Sequence, residues 1–172
     1  MWRRVLCLLA LLSAPLSQAM PQALREAAPD WQVLGQGEMR WFGLRLYEAE
    51  LWVRGAGWSA EAPFALRLTY AREIPGSRIV EASIDELRRL GHRDEASLAR
   101  WREHMSLAFP DVRAGDSITG IYLLGRGVQF WLGEHLRADL PDEDFARAFF
   151  AIWLDPRTRE PALRERLLGL RR

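Results

Sequence analysis

The clearest pattern in the chain is the alternation of side chains in FALRLTY, residues 64–70. A period of two predicts a β-strand that is buried on one side. Residues 31–53 also carry β-type content, with breaks near Gly35, Gly37 and Gly43. Residues 117–124 and 127–132 predict a hairpin around Gly125-Arg126, and residues 134–138 predict a further short strand.

Helical periodicity appears in two separate places. After the strand at residues 64–70, residues 77–90 predict a helix that stops at Gly91, and Asp94 is expected to cap a second one. The strongest helical pattern covers residues 140–156, with Pro141 in its first turn and Asp155-Pro156 at its end. The side chains expected to face inward are Ile79, Ser83, Leu87, Leu90, Leu98, Trp101, Met105, Phe145, Phe149, Ile152 and Trp153.

A last helix is predicted to open at Thr158 and Pro161 and to end near Gly169. The order along the chain is therefore strands, two helices, strands, two helices. Such clustering predicts the α+β class, with an antiparallel sheet and helices layered on one face. No linker, repeat or low-complexity segment divides residues 20–172, which predicts a single domain.

The first 19 residues have the pattern of a cleaved secretory signal peptide. Arg3 and Arg4 precede an apolar run from Val5 to Leu12, and Ser17-Gln18-Ala19 offers small residues for a signal peptidase. An uncleaved anchor is the alternative, but the apolar run is short for spanning a bilayer. We expect cleavage after Ala19, a periplasmic location and no transmembrane segment in the mature chain.

Cleavage changes the composition in two ways. It removes Cys7, the only cysteine, so the mature protein depends on its packed core and not on disulfides. It also removes Arg3 and Arg4, which leaves 22 basic residues against 23 acidic ones and a formal charge of −1. This balance excludes a typical nucleic-acid binder.

The sequence carries no recognised catalytic or cofactor motif. His92, His104 and His135 lack metal-site spacing, and no GxSxG elbow is present. Gly35-Gln36-Gly37 is only part of a dinucleotide fingerprint. The acidic residues 142–144 suit the first turn of a helix, where they complement the macrodipole. Neither a metal nor a cofactor is therefore expected.

Four stretches, in order, resemble the chalcone isomerase-like proteins, in particular their bacterial secreted branch. They are GQGEMRWFGLRLYEAELWV, LRLTYAREIPGSRIVEA, FPDVRAGDSI and DFARAFFAIWLDPRTREPALRERLLG, and the match as a whole covers about residues 31–170. The most specific phrase is Phe-x-x-Ile-Trp-Leu-Asp-Pro, which begins here at Phe149. The resemblance implies an open-faced β-sandwich with a ligand cleft between the sheet and the helices.

In the plant enzymes of that family, a strand arginine fixes the oxyanion of a chalcone during ring closure. In fatty-acid-binding relatives, an arginine and a tyrosine grip a carboxylate. Arg40 and Tyr47 are the residues of this chain that the resemblance assigns to ligand binding. Counting from Gly37 places Met39 at the position of the arginine, and the tyrosine before the family's first helix has no clear equivalent here. No catalytic residue is assigned.

Two arrangements of this strand remain open. A bulge near Gly43 would bring both Arg40 and Tyr47 to the cleft. A regular strand would place them on opposite faces, with Tyr47 inside beside Ala49, Leu51 and Val53 and Arg40 outside. In that case Tyr47 is a core aromatic and Arg40 a solvated or ion-paired residue. We favour the second arrangement.

Three functions follow from the resemblance. The first is a non-catalytic binding protein for a small apolar, amphipathic or carboxylate-bearing ligand. The second is an accessory or structural protein whose cleft is filled by its own side chains. The third, and least favoured, is an intramolecular lyase of the chalcone isomerase type.

We predict that the exported protein begins at Met20, because Ala19 ends the small-residue site that a signal peptidase requires. N-terminal sequencing of protein from a Gram-negative periplasm checks this. Soluble cytoplasmic protein that retains Met1 would contradict it.

Overall fold

The computed structural model describes residues 20–22, 25 and 29–171. The predicted signal peptide, residues 1–19, lies outside the described residues. The strands are β1 (Trp31–Trp41), β2 (Leu44–Arg54), β3 (Phe64–Tyr70), β4 (Ser117–Leu123), β5 (Gly127–Leu132) and β6 (His135–Leu140). The helices are α1 (Gly76–Leu90), α2 (Glu95–Ala108), α3 (Glu143–Leu154) and α4 (Pro161–Leu167).

The six strands form one antiparallel sheet in which each strand pairs with its neighbour in sequence, in the order β1-β2-β3-β4-β5-β6. The helices come after β3 and after β6, in the order that the sequence predicts. The α+β class and the open sheet with a helical layer are therefore confirmed.

Local signals set most of the helix ends. Gly91 adopts a left-handed conformation with φ 111° and ends α1. The Asp94 carboxylate accepts a hydrogen bond from the Ser97 amide at 2.9 Å and caps α2. α3 is shorter than predicted because Asp142 is its N-cap, accepting from the Phe145 amide at 2.9 Å, and Asp155 is already extended. Thr158 does not open α4; its hydroxyl donates to the Ile152 carbonyl oxygen.

The main core lies between the inner face of the sheet and the helices. It is filled by aromatic rings in mutual contact, with centroids between 4.9 and 6.3 Å apart. α3 supplies four of these rings, and the sheet and the segment after α2 supply the rest. The rings belong to Phe64, Phe109, Tyr122, Phe130, Phe145, Phe149, Phe150 and Trp153. The middle of the space between sheet and helices is thus occupied by the protein's own side chains.

α4 packs directly against Gly35 and Gly37 of β1. A Cβ atom at Gly35 would collide with the backbone carbonyl oxygen of Arg166, and one at Gly37 would lie 2.8 Å from Leu163 Cδ1. Leu163 and Leu167 are buried against this part of β1. The Gly-x-Gly spacing therefore allows a helix to approach a strand closely.

The outer face of the sheet is also covered at its centre, which corrects the prediction that β3 is buried on one side only. Ala65 and Ile121 form a second buried cluster with Met20. Arg67, on the same outer face, is only 3% exposed, and its Nη1 lies 3.6 Å from the Glu50 carboxylate. The alternation of β3 was read correctly, but its position at the middle of the sheet makes both faces internal. Tryptophans pack around this cluster, namely Trp31, Trp52 and Trp131.

We predict that Trp153→Ala lowers the free energy of unfolding by about 3–5 kcal/mol, the range for a large aromatic side chain truncated in a core. Trp153 is 9% exposed and packs on Phe149 with ring centroids 5.3 Å apart. Denaturant unfolding measures the change. Leu170→Ala is the control, since Leu170 is exposed and its loss should cost less than about 0.5 kcal/mol. A loss below about 1 kcal/mol for Trp153→Ala would contradict the prediction.

Candidate functional site

Three aromatic side chains with polar tips or edges meet where β2 and β3 face the end of α3. Tyr47 and Tyr70 are directly paired across the two strands, and their rings meet edge to face with centroids 6.0 Å apart. The indole Nε1–H of Trp153 donates to the Tyr47 hydroxyl oxygen at 3.0 Å. We refer to Tyr47, Tyr70 and Trp153 as the Tyr47 cluster. It joins the sheet to α3 through a hydrogen bond between partly buried side chains.

Burial and two nearby carboxylates raise the pKa of the Tyr47 hydroxyl. Burial raises the pKa of its hydroxyl to about 12; the hydrogen bond from Trp153 lowers it, while the carboxylates of Glu160 and Glu86 raise it further. Glu86 is itself paired with Arg89 at 2.7 Å and Arg159 at 2.9 Å. Tyr47 therefore keeps its proton at physiological pH and remains a neutral hydrogen-bond donor.

Arg40 lies on the solvent side of the hairpin formed by β1 and β2. Its Nε and Nη2 donate to Glu38 Oε2 at 3.0 and 2.7 Å, and its Nη1 donates to the Gly43 carbonyl oxygen at 3.1 Å. Arg45 donates to the other oxygen of the same carboxylate at 3.0 Å. Hydrogen bonds from Arg40 and Arg45 lower the pKa of Glu38. The structure does not bring Arg40 together with Tyr47.

The strand register explains this separation. Met39 pairs with Tyr47, but the next residue, Arg40, pairs with Arg45, so Leu46 is an extra residue on β2. A bulge is therefore present near the position at which it could have turned Arg40 inward. Its extra residue is on β2, however, so Arg40 stays on the outer face. Met39 packs against the main core beside Tyr47. A thioether thus occupies the position to which the resemblance assigns an arginine.

A polar cluster at the start of α3 was missed in the sequence. Tyr122 donates to Glu143 Oε1 at 2.5 Å, and Arg147 Nε donates to the same oxygen at 2.9 Å. Burial and the Glu143 hydrogen bond raise the pKa of Tyr122. The acidic residues 142–144 are thus not simply a solvated first turn. The spacing of Glu143 and Arg147, four residues apart on a helix, could have been recognised in the sequence. Tyr122 lies on β4, so only the fold shows that it meets Glu143.

Asp142 is the second anchored carboxylate of that turn. It lies 3.2 Å from Arg100 Nε and 3.3 Å from His104 Nε2, both on α2. The backbone amide of Phe145 and the Arg100 guanidinium keep its pKa below the ordinary value against the opposing effect of burial. These contacts tie α2 to α3. Within the described part of the chain, no group of three or more His, Cys, Asp or Glu side chains is placed to hold a metal ion.

Comparison with known proteins agrees with this geometry. A family model described as chalcone isomerase-like matches residues 21–169, which is most of the chain. The chain belongs to the chalcone isomerase-like family. The crystal structure of a fatty-acid binding protein from Arabidopsis thaliana is similar to it, with a TM-score of 0.62. The alignment covers 82% of this chain and 88% of that one, at 11% sequence identity.

At that identity the structural likeness establishes the shared fold and nothing about the ligand. A comparison with curated protein sequences found no significant match. The family assignment therefore confirms the resemblance read from the four sequence motifs. Ligand binding by Arg40 and Tyr47 stays a prediction, and the two residues now differ in position: Tyr47 faces the helices and Arg40 faces solvent.

We predict that the native protein shows no tyrosinate absorbance near pH 10. Burial is the largest cause raising the pKa of each of its three tyrosines, Tyr47, Tyr70 and Tyr122. A spectrophotometric pH titration of native and denatured protein checks this. Because the unfolded chain loses these protons first, stability should fall as the pH rises above 10, by about 1.4 kcal/mol per pH unit for each tyrosine.

Tyr47→Phe serves as the assignment control for this titration. It should remove the transition with a midpoint of about 12. A native protein that titrates a tyrosine at its ordinary pKa would show that at least one of the three hydroxyls is exposed.

Proposed function

We propose that this chalcone isomerase-like protein is a non-catalytic periplasmic binding protein for a small apolar or amphipathic ligand. The observation that carries the proposal is the Tyr47 cluster, which offers a neutral hydroxyl donor at the apolar junction of sheet and helices. An apolar surface supplies affinity, and one positioned polar group supplies orientation. The similar plant structure is that of a fatty-acid binding protein, which agrees with an apolar ligand.

The absence of catalysis is inferred from the residues around Tyr47. Ring closure of a chalcone requires stabilisation of an oxyanion, for which the plant enzymes use an arginine. Here Met39 is the neighbour of Tyr47, and the Arg40 guanidinium is held outside by Glu38 and the Gly43 carbonyl. Glu86 and Glu160 add negative potential at the hydroxyl. This arrangement opposes an oxyanion.

The same charges favour one class of ligand over another. A carboxylate at Tyr47 would meet the potential of Glu86 and Glu160, and the guanidinium groups of Arg89 and Arg159 are already paired with Glu86. A neutral acceptor, such as an ester carbonyl, an alcohol or a ketone, would accept a hydrogen bond from Tyr47 without that penalty. We therefore favour an apolar ligand with a neutral polar end over the carboxylate-bearing ligand that the resemblance suggests.

A second function, an accessory protein with a filled cleft, is favoured by the aromatic core. The rings of Phe130, Phe149 and Phe150 already occupy the middle of the space between sheet and helices. A ligand held between sheet and helices at Tyr47 would then lie at the end of this space and not in its middle. The two functions differ in whether any ligand binds the purified protein.

The periplasmic location is part of the proposal and rests on the signal-like pattern of residues 1–19. In the described part of the chain, each helix is too short or too polar to pass through a bilayer. The absence of thiols from residues 20–172 also suits an oxidising compartment.

We predict that the wild-type protein binds hexadecanol more tightly than palmitate, because the alcohol presents a neutral end to Tyr47. Tyr47→Phe should weaken hexadecanol binding about 5- to 10-fold, the effect of one neutral hydrogen bond. Native mass spectrometry of the purified protein and competition with a fluorescent lipid measure retention and affinity.

Two control variants sharpen this experiment. Tyr122→Phe removes a hydroxyl at the opposite end of the sheet and should leave the affinity unchanged. Arg40→Ala should also leave it unchanged, because the guanidinium faces solvent. A loss of more than about tenfold for Arg40→Ala, the scale of a charge-assisted hydrogen bond, would indicate an anion site. A clean apo mass with no binding of either lipid would favour the filled-cleft function.

A further inference from the structure

The tip of the β1–β2 hairpin exposes three large apolar side chains in succession around a single glycine. Trp41 is 58% exposed, Phe42 is 93% exposed and Leu44 is 53% exposed. The Trp41 and Phe42 rings contact each other with centroids 5.9 Å apart. These residues form a continuous apolar surface, which we call the hairpin tip, Trp41 to Leu44. Contiguous exposed apolar surface of this kind marks an interaction site more often than scattered apolar residues do.

The backbone of the hairpin tip is unfavourable for the residue it carries. Trp41 pairs with Leu44, so Phe42 and Gly43 are the two central turn residues, with φ values of 46° and 78°. Turns with positive φ at both positions prefer asparagine, aspartate or glycine at the first one. A phenylalanine there is an outlier among residues with side chains. Asparagine or glycine at this position would stabilise the turn better than phenylalanine does. The exposed Phe42 ring is therefore not needed to form the turn.

The hairpin tip projects beyond the rest of the sheet. β2 pairs with β3 only from Tyr47, which is opposite Tyr70, so residues 40–45 pair only within the hairpin. Arg40 bonds to the Gly43 carbonyl and to Glu38, and Arg45 bonds to Glu38. These contacts hold the projecting turn from behind. The tip is therefore a braced, convex apolar surface.

Charged side chains lie at the base of the hairpin tip. Arg40 and Arg45 lie immediately behind the apolar residues and share a single carboxylate, that of Glu38. The charged groups nearest the apolar residues are thus the two arginines, while the acidic pair Glu38 and Glu48 lies further along the hairpin. At a membrane surface, tryptophan is favoured at the interface, apolar rings enter the acyl region and arginine reaches the phosphates. Anionic lipids attract basic residues near the surface.

We propose that the hairpin tip, Trp41 to Leu44, docks this protein on an anionic lipid bilayer. The rings of Trp41 and Phe42 enter the interface, while Arg40 and Arg45 contact headgroup phosphates. A bilayer suits the tip better than a protein pocket does, because three apolar side chains project together and both arginines stand behind them. Docking of this kind needs no ligand.

Docking would also orient the proposed ligand site relative to the membrane. Met39 and Tyr47 form the pair that precedes Arg40 and Arg45 along the hairpin. A docked tip therefore turns the Tyr47 end of the molecule toward the membrane, where an apolar ligand enters without crossing water. This last step rests on the proposed function, whereas the docking itself does not.

Co-sedimentation of the mature protein, residues 20–172, with vesicles of phosphatidylethanolamine and phosphatidylglycerol tests the proposal. Phe42→Asn removes the ring and keeps the turn, since asparagine tolerates positive φ. It should lower the partition coefficient by about tenfold or more, the factor expected when a phenylalanine ring is not buried. Leu124→Asn is the matched control in the exposed turn between β4 and β5, and it should bind like wild type.

Two further measurements identify the lipid contact. Brominated acyl chains should quench part of the fluorescence of the wild-type protein, and Trp41→Phe should abolish that quenching. Replacement of phosphatidylglycerol by phosphatidylcholine should weaken binding several-fold, because the arginines then meet no net negative surface.

The outcomes that overturn the proposal are specific. Wild-type protein that binds neither vesicle overturns it, and so does equal binding of wild type and Phe42→Asn. Crosslinking of the tip to a protein pocket without vesicle binding would likewise replace the lipid with a protein partner. No ligand is added in these assays, so a failure of Tyr47 to bind hexadecanol leaves their result unaffected.

Discussion

The packing of α3 on the inner face of the sheet is the interaction on which the rest of the structure depends. Phe150 fits over Gly120 of β4, where a Cβ atom would lie 3.1 Å from its ring. Phe145 contacts Trp101 of α2, and Trp153 reaches Tyr47 of β2. One helix therefore joins the sheet, α2 and the Tyr47 cluster. The only cysteine, Cys7, precedes the described residues, so among the described residues this packing replaces covalent crosslinks.

Because of that packing, the middle of the sheet-helix interface differs in composition from the end that carries Tyr47. Its middle is filled by rings in contact, as expected for a stable core. The end formed by Tyr47, Tyr70 and Trp153 instead combines partly buried polar atoms with apolar surface. The exposed hairpin tip extends from that same end. Candidate ligand binding and candidate membrane contact thus concentrate at one end of the sheet, where the aromatic core ends at Trp153.

The register of β1 on β2 decides the chemistry of this end. Met39 pairs with Tyr47, so the alternation of β1 turns Arg40 outward, where it pairs with Arg45 beyond the extra residue Leu46 of β2. Side chains alternate between faces of a strand, so a shift by one residue exchanges a cation for a thioether. The difference separates an oxyanion or carboxylate site from a site for neutral ligands. Family membership alone does not determine which of these the chain contains.

The sequence by itself determined the features that depend on near neighbours. The stop at Gly91, the cap at Asp94 and the inward residues Leu98, Trp101 and Met105 all appear as predicted. These signals act over four residues or fewer, through backbone hydrogen bonds and side-chain direction. The α+β class followed from the order of such elements, and the family from four ordered motifs.

Tertiary structure decided the features that depend on partners far along the chain. It placed α4 against Gly35, buried Arg67 at the centre of the sheet, and paired Glu143 with Tyr122 and Asp142 with Arg100. It also placed the irregularity at Leu46 on β2 and not on β1, so Arg40 stays outside, as in the arrangement that the sequence favoured. Periodicity specifies which residues share a face, but strand register and the packing of neighbours specify what that face meets. For this protein, the local pattern identified Tyr47 as an inward residue, and only the fold determined its surroundings.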